Sequence, residues 1–356
     1  MGCATEPGAR AGRRAPRPLG GVAMDPLALY KEACEQGAAL SGNYHRNIRV
    51  EADSGPVVVR IRSGGTDAMD LTLWPEAQVL EAVGPWVASA PRLLYAGTNP
   101  EFQIHGFVAG RRVDSLAPEG KPLPETVVKG VEGLFGELSR VPRSALPAVP
   151  DDWPSDGDTR GFAGRLLDLV RTIRSRPDER VEETYRSLGV PEDPCRVLQD
   201  QVREVTGRRF GLLHADIHRQ NMIVTEGGGL AFLDWELALW GDPVYELADH
   251  VHKMAYGAAE RRAVTQGWER QTPDGYHHGW TADLDYYLAY EAVKSAVVDT
   301  VRWGRRIAEE QDTAGRLELA RQLADKLSAA APHWGSAASA VPPPREIEKL
   351  VRRWQT

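Results

Sequence analysis

The feature that most limits how this chain can fold is a run of polar residues set among apolar ones. It reads His214-Ala-Asp216-Ile-His218-Arg-Gln-Asn221, then Met222-Ile-Val224, a Gly227-Gly-Gly229 turn, and Leu230 to Leu233 leading into Asp234-Trp-Glu236. The short apolar stretches flanking the glycines read as two strands joined by a tight turn. Such strands are antiparallel neighbours, so Asn221, at the start of the first, and Asp234, at the end of the second, lie close together at one end of a ribbon. Asp216 sits on the loop that feeds it. Three oxygen-bearing side chains thus converge on one spot.

Phosphoryl transfer needs such a set. The transferred group reacts once its charge is neutralised and the acceptor oxygen is held in line. A carboxylate must orient the acceptor hydroxyl and take its proton, and magnesium, which keeps several waters, needs only about two protein oxygens. A zinc site from His214, Asp216 and His218 is the sharpest rival, but it leaves Asn221 and Asp234 without work. The spacing resembles the catalytic loop and metal-binding Asp of protein kinases. With His-x-Asp-x-His-x-x-Asn and Asp-Trp-Glu, the chain is more similar to the aminoglycoside phosphotransferase and choline kinase superfamily. That resemblance implies Asp216 as catalytic base, Asn221 and Asp234 as Mg2+ ligands, and His214 and His218 as structural supports of the loop. Ala215 stands where the family usually has Gly, a change expected to have little effect. Trp240-Gly-Asp242-Pro-Val-Tyr-Glu246-Leu-Ala-Asp249 matches the family segment that follows, and Asp242-Pro243 is a helix-start signal in its own right.

The resemblance assigns the nucleotide, ATP or GTP, to the N-terminal part. Ile48-Arg-Val50 alternates, Asp53-Ser-Gly55 marks a turn, and Val57 to Ile61 is β-branched, which predicts a hairpin. Gly42, Asn43 and His45 precede it, where kinase-like folds cover phosphates with backbone N–H groups. Arg60 and Arg62 share a strand face; the resemblance favours Arg60 as the phosphate-binding cation, although its fork differs from the Lys of protein kinases. Glu76, early in a helix expected over 74–83, is the candidate to pair with Arg60. Gly106, Phe107 and Val108 resemble the hinge whose backbone recognises the purine.

Two more short strands are expected near 91–95 and 102–108. Beyond them the apolar spacing turns helical, over 125–140, 159–173, 284–308 and 313–330. The outline is α+β: a bilobal protein-kinase-like fold with a small N-terminal antiparallel β-sheet lobe with one helix (25–108) and a larger, mainly helical C-terminal lobe (109–356). Residues 1–24 read as a disordered leader, rich in Arg but lacking the apolar core of a secretory signal, and Met24 is a possible natural start.

The acceptor pocket belongs in the helical lobe, where Asp285, Glu291 and Asp299 would favour a cationic substrate if they face Asp216. The acceptor is expected to be a hydroxyl of an antibiotic or similar natural product, with an amino alcohol or sugar as the alternative. A non-catalytic nucleotide-binding pseudokinase is a third reading, against which the intact Asp216, Asn221 and Asp234 weigh. The formal net charge of -7 argues against nucleic acid as a partner. No apolar run approaches the roughly 20 residues of a membrane span. Three scattered cysteines fit neither a disulfide framework nor a metal pattern, so a reducing cytoplasm is expected; a monomer or homodimer is expected as well.

Overall fold

Alternation of apolar side chains organises the N-terminal sheet. In the computed structural model, which describes residues 25–36, 45–62, 72–175, 178–335 and 340–353, the chain forms two compact units. One comprises residues 1–65 with 92–107, the other 66–91 with 108–356. The expected leader and two of the expected phosphate-loop residues, Gly42 and Asn43, lie outside the described residues.

The first unit holds α1 (Pro26–Glu35), β1 (His45–Ala52), β2 (Gly55–Arg62), β3 (Leu93–Thr98) and β4 (Glu101–Gly106). Asp25 caps α1 by accepting the Leu27 and Ala28 N–H groups, and Pro26 opens its first turn. The strands form an antiparallel sheet in the order β1-β2-β4-β3. Ile48, Val50, Val57, Val59, Phe102 and Ile104 pack with Leu29 and Ala33 of α1, as the period-2 pattern requires. Tyr30 and Tyr95 stack on Phe102, with ring centroids 4.7 and 5.3 Å away.

The larger unit begins with α2 (Glu76–Val83); Pro75, expected inside its first turn, occupies the position just before it. It continues through β5 (Gly110–Arg112), α3 (Val113–Leu116), α4 (Glu125–Arg140), α5 (Thr159–Arg174), α6 (Glu179–Ser187) and α7 (Arg196–Gln201). Then come β6 (Gly211–Leu213), β7 (Met222–Thr225), β8 (Leu230–Phe232), β9 (Leu239–Gly241), α8 (Pro243–Met254), α9 (Ala258–Gln271), α10 (Trp280–Glu309), α11 (Thr313–Ala330) and α12 (Pro344–Arg352). Strands β5, β7 and β8 form one antiparallel sheet, while β6 and β9 pair separately. Gly110 permits the first of these sheets: its φ is +155°, and a Cβ there would lie 2.2 Å from the Val224 carbonyl oxygen. Helices α8, α10, α11 and α12 pack in succession around Val251, Val293, Val297, Leu323 and Ile347, all buried. No helix among the described residues is long and apolar enough to cross a membrane.

Candidate active site

The β6–β9 ladder delivers the chain to His214, and the β7–β8 ribbon receives it after Asn221. Met222 pairs with Phe232, and the Leu233 N–H donates to the Asn221 carbonyl at 2.8 Å. Asn221 and Asp234 are thereby brought to one end of the ribbon. Asp234 adopts a left-handed backbone, φ +67°, a conformation in which a non-glycine residue is uncommon and which is often kept at functional sites. The following turn is braced by Glu76, whose Oε1 accepts the Trp235 N–H at 3.1 Å. The Trp235 indole, fully buried, donates to the Phe232 carbonyl.

Asp216 lies within reach of the same place. The Asn221 amide nitrogen donates to Asp216 Oδ2 at 2.8 Å and to its carbonyl at 3.0 Å. Because the NH2 end is committed to a carboxylate, the amide orientation is dictated, and Asn221 Oδ1 is left as an acceptor facing away from that partner. An amide oxygen beside a carboxylate is a donor set that suits magnesium, so the residues present fit the ion. Burial alone would raise the Asp216 pKa, but the Lys253 ammonium and the His218 ring hold it well below the usual carboxylate range. The group is an anion at neutral pH.

The two histidines act as scaffold, and the zinc alternative has no geometry to support it. His214 is buried and donates from Nε2 to the Leu233 carbonyl at 3.1 Å, with its ring 4.5 Å from that of Trp235. Burial lowers its pKa to about 4, so it is neutral. His218 accepts the Gln220 N–H at Nδ1, 3.3 Å, and turns Nε2 to Asp216 Oδ2 at 3.5 Å. Among the described residues, no three His, Cys, Asp or Glu side chains cluster as a metal centre would.

Helix α8 grips the loop on both sides of Asp216. Glu246 Oε2 accepts the Ala215 N–H at 2.9 Å, His250 Nδ1 donates to the Ile217 carbonyl at 2.9 Å, and Lys253 donates to the Ala215 carbonyl at 3.0 Å and to Asp216 Oδ1 at 2.7 Å. Positions 246, 250 and 253 share one helical face. The grip holds Ala215 at φ +59°. The expectation that Ala at this position matters little is thus corrected: a left-handed conformation costs a residue with a Cβ about 1–2 kcal/mol, which glycine avoids. Asp242 caps α8 by accepting the Val244 N–H, as its sequence signal predicts. It is fully buried against Arg208 at 3.0 Å and the Tyr287 hydroxyl at 2.9 Å.

The remaining sequence candidates are placed as follows. In the first unit, Arg60 is buried and donates to Asn47 at 3.3 Å, whereas Arg62, on the same strand, is exposed. His45 starts β1 opposite Arg62. The Gly106 N–H bonds the Arg92 carbonyl, and the Phe107 ring lies beneath the Arg49 guanidinium at 4.7 Å. Val108 is the first residue after the chain passes into the larger unit. On α10 the three acidic residues do not converge. Asp285 is exposed, Glu291 is buried against Lys294 at 2.6 Å, and Asp299 is paired with Lys326 at 2.8 Å.

A small antiparallel sheet, a mainly helical remainder and the junction of Asp216, Asn221 and the Asp234 turn are the setting in which the class of this chain is read: small-molecule O-phosphotransferases. The profile of the Phosphotransferase enzyme family matches residues 36–282; the chain belongs to that family. Its fold is shared by an ethanolamine kinase from Plasmodium vivax (TM-score 0.57, 14% identity, covering 85% of this chain and 83% of that one). It is shared as well by a choline kinase from Streptococcus pneumoniae (0.54, 14%, 85% and 98%). A macrolide 2'-phosphotransferase from Brachybacterium faecium has the same fold (0.50, 16%, 87% and 98%). A comparison with curated protein sequences finds no match.

Proposed function

We propose that the protein transfers the γ-phosphoryl group of a magnesium-bound ATP, or GTP, to a hydroxyl of an antibiotic or related natural product. The observation that carries the transfer chemistry is the junction of Asp216, Asn221 and the Asp234 turn at the end of one ribbon. Asp216, kept ionised, accepts the hydrogen bond of the incoming hydroxyl, aims its lone pair and receives its proton as the bond to phosphorus forms. Asn221 Oδ1 and the Asp234 carboxylate would hold the ion, whose role when bound is to neutralise phosphate charge. Arg60, with Gly42, Asn43 and His45, would hold the donor phosphates, and the backbone of Gly106, Phe107 and Val108 its base.

Charge gives a cationic acceptor little support, because Glu291 and Asp299 are already engaged by lysines. The acceptor is therefore chosen by assay: nucleotide turnover across a panel of antibiotics, amino alcohols and sugars. Transfer to an antibiotic hydroxyl is the expected result, and transfer confined to amino alcohols or sugars would replace it with a metabolic kinase. Asp216→Asn is expected to keep Mg-nucleotide binding by calorimetry while transfer falls by orders of magnitude. Equal turnover by wild type and mutant would remove Asp216 from the chemistry, and absence of turnover in both would favour a binding module.

A further inference from the structure

Lys253 is absent from the motif that defines the site, yet its ammonium touches the central carboxylate. It stands at the end of α8, 37 residues from Asp216 in sequence, and reaches Oδ1 at 2.7 Å. It simultaneously holds the Ala215 carbonyl at 3.0 Å and lies 2.9 Å from Asp249 Oδ2. Asp249, with no exposed side-chain surface, is shared with Lys294 at 3.2 Å, and Lys294 is in turn paired with Glu291 at 2.6 Å. An alternating chain of charges therefore runs from Asp216 into the α8–α10 core.

The torsion that rotates a carboxylate about its Cβ–Cγ bond is soft and roughly two-fold. A carboxylate held at one oxygen swings; one held at both does not. Asn221 occupies Oδ2 and Lys253 occupies Oδ1. We infer that Lys253 is a positioning residue for phosphoryl transfer, fixing the plane of the Asp216 carboxylate through Oδ1, and that Asp249 and Lys294 hold it in place. The ammonium's contacts are to Asp216, Ala215 and Asp249, so it acts through Asp216 instead of on the substrate. Burial alone would lower the Lys253 pKa, yet Asp216 and Asp249 raise it, so the cation is retained.

This inference rests on the proposed role of Asp216, and the experiment separates the two. Full-length protein is assayed with MgATP and the best acceptor of the panel, or with MgATP hydrolysis where water is the acceptor. Lys253→Met is expected to lower kcat about 10- to 100-fold, the usual effect of losing a group that orients a reacting one. The KM for MgATP should stay within about two-fold, and Lys253→Arg should recover most of the loss. In an Asp216→Asn background, Lys253→Met should cost nothing further, because the group it orients is already disabled. A folded Lys253→Met enzyme with wild-type kcat overturns the inference while leaving Asp216 in place, and so does an equal loss in both backgrounds. If Lys253→Met does not fold, Lys253→Gln carries the same comparison. Wild-type turnover by Asp216→Asn would instead remove the reading of the site itself.

Discussion

Glu246 should make this protein lose stability as the solution becomes alkaline. Its carboxyl is buried, with 2% exposure, beneath the loop that carries Ala215. Oε2 accepts the Ala215 N–H at 2.9 Å, and the side chain borders a small cavity with Phe135, Leu138, Leu212 and Trp268. Burial pushes its pKa up from 4.5 to about 8. A raised pKa means that the folded state binds the proton more tightly. The resulting stabilisation is complete below pH 4.5 and is lost as pH rises through about 8. Between pH 6 and pH 9 the loss spans about two pK units, or roughly 3 kcal/mol at ~1.4 kcal/mol per unit. Glu246→Gln keeps an acceptor for Ala215 and removes the titration. Urea unfolding followed by tryptophan fluorescence at pH 6, 7, 8 and 9 should show wild type losing about 3 kcal/mol relative to the variant. Other titrating groups are common to both proteins and cancel in the difference. Parallel stability curves would refute a neutral, buried Glu246.

Acid should destabilise the protein by a separate route. His214, His250 and His252 are held by burial at pKa values of about 4, so the stability they contribute above their usual 6.5 is lost as pH falls through 4. That amounts to several kcal/mol in total by linkage; a urea midpoint unchanged between pH 6.5 and 4 would contradict it. Ala215→Val places a β-branched side chain at φ +59° and should cost about 2 kcal/mol or more by urea denaturation, with activity falling as the loop distorts. A fully stable and active Ala215→Val enzyme would show that the loop is not constrained there.

The ribbon that joins Asn221 to Asp234 was legible because its determinants are local. Two apolar runs and a glycine turn specify an antiparallel pair whichever domain surrounds them. The β-hairpin of the first unit, α4, α5, α10 and α11 were legible for the same reason, since side-chain period reports burial on one face. Strands β5, β6 and β9 were not, because three residues are too few to display a period. Nor could the sequence show that Arg60 is buried while Arg62 is exposed, since both share one parity on β2.

Local sequence by itself determined the reaction class and the residues at the ribbon's end. Tertiary structure decided what holds them: Glu246, His250 and Lys253 reach the Ala215–Ile217 loop only because α8 packs behind it. It also decided that Glu291 and Asp299 are paired with buried or half-buried lysines. A charge in a sequence carries no record of its partner. Desolvation sets its energy, and desolvation depends on which helices close over it.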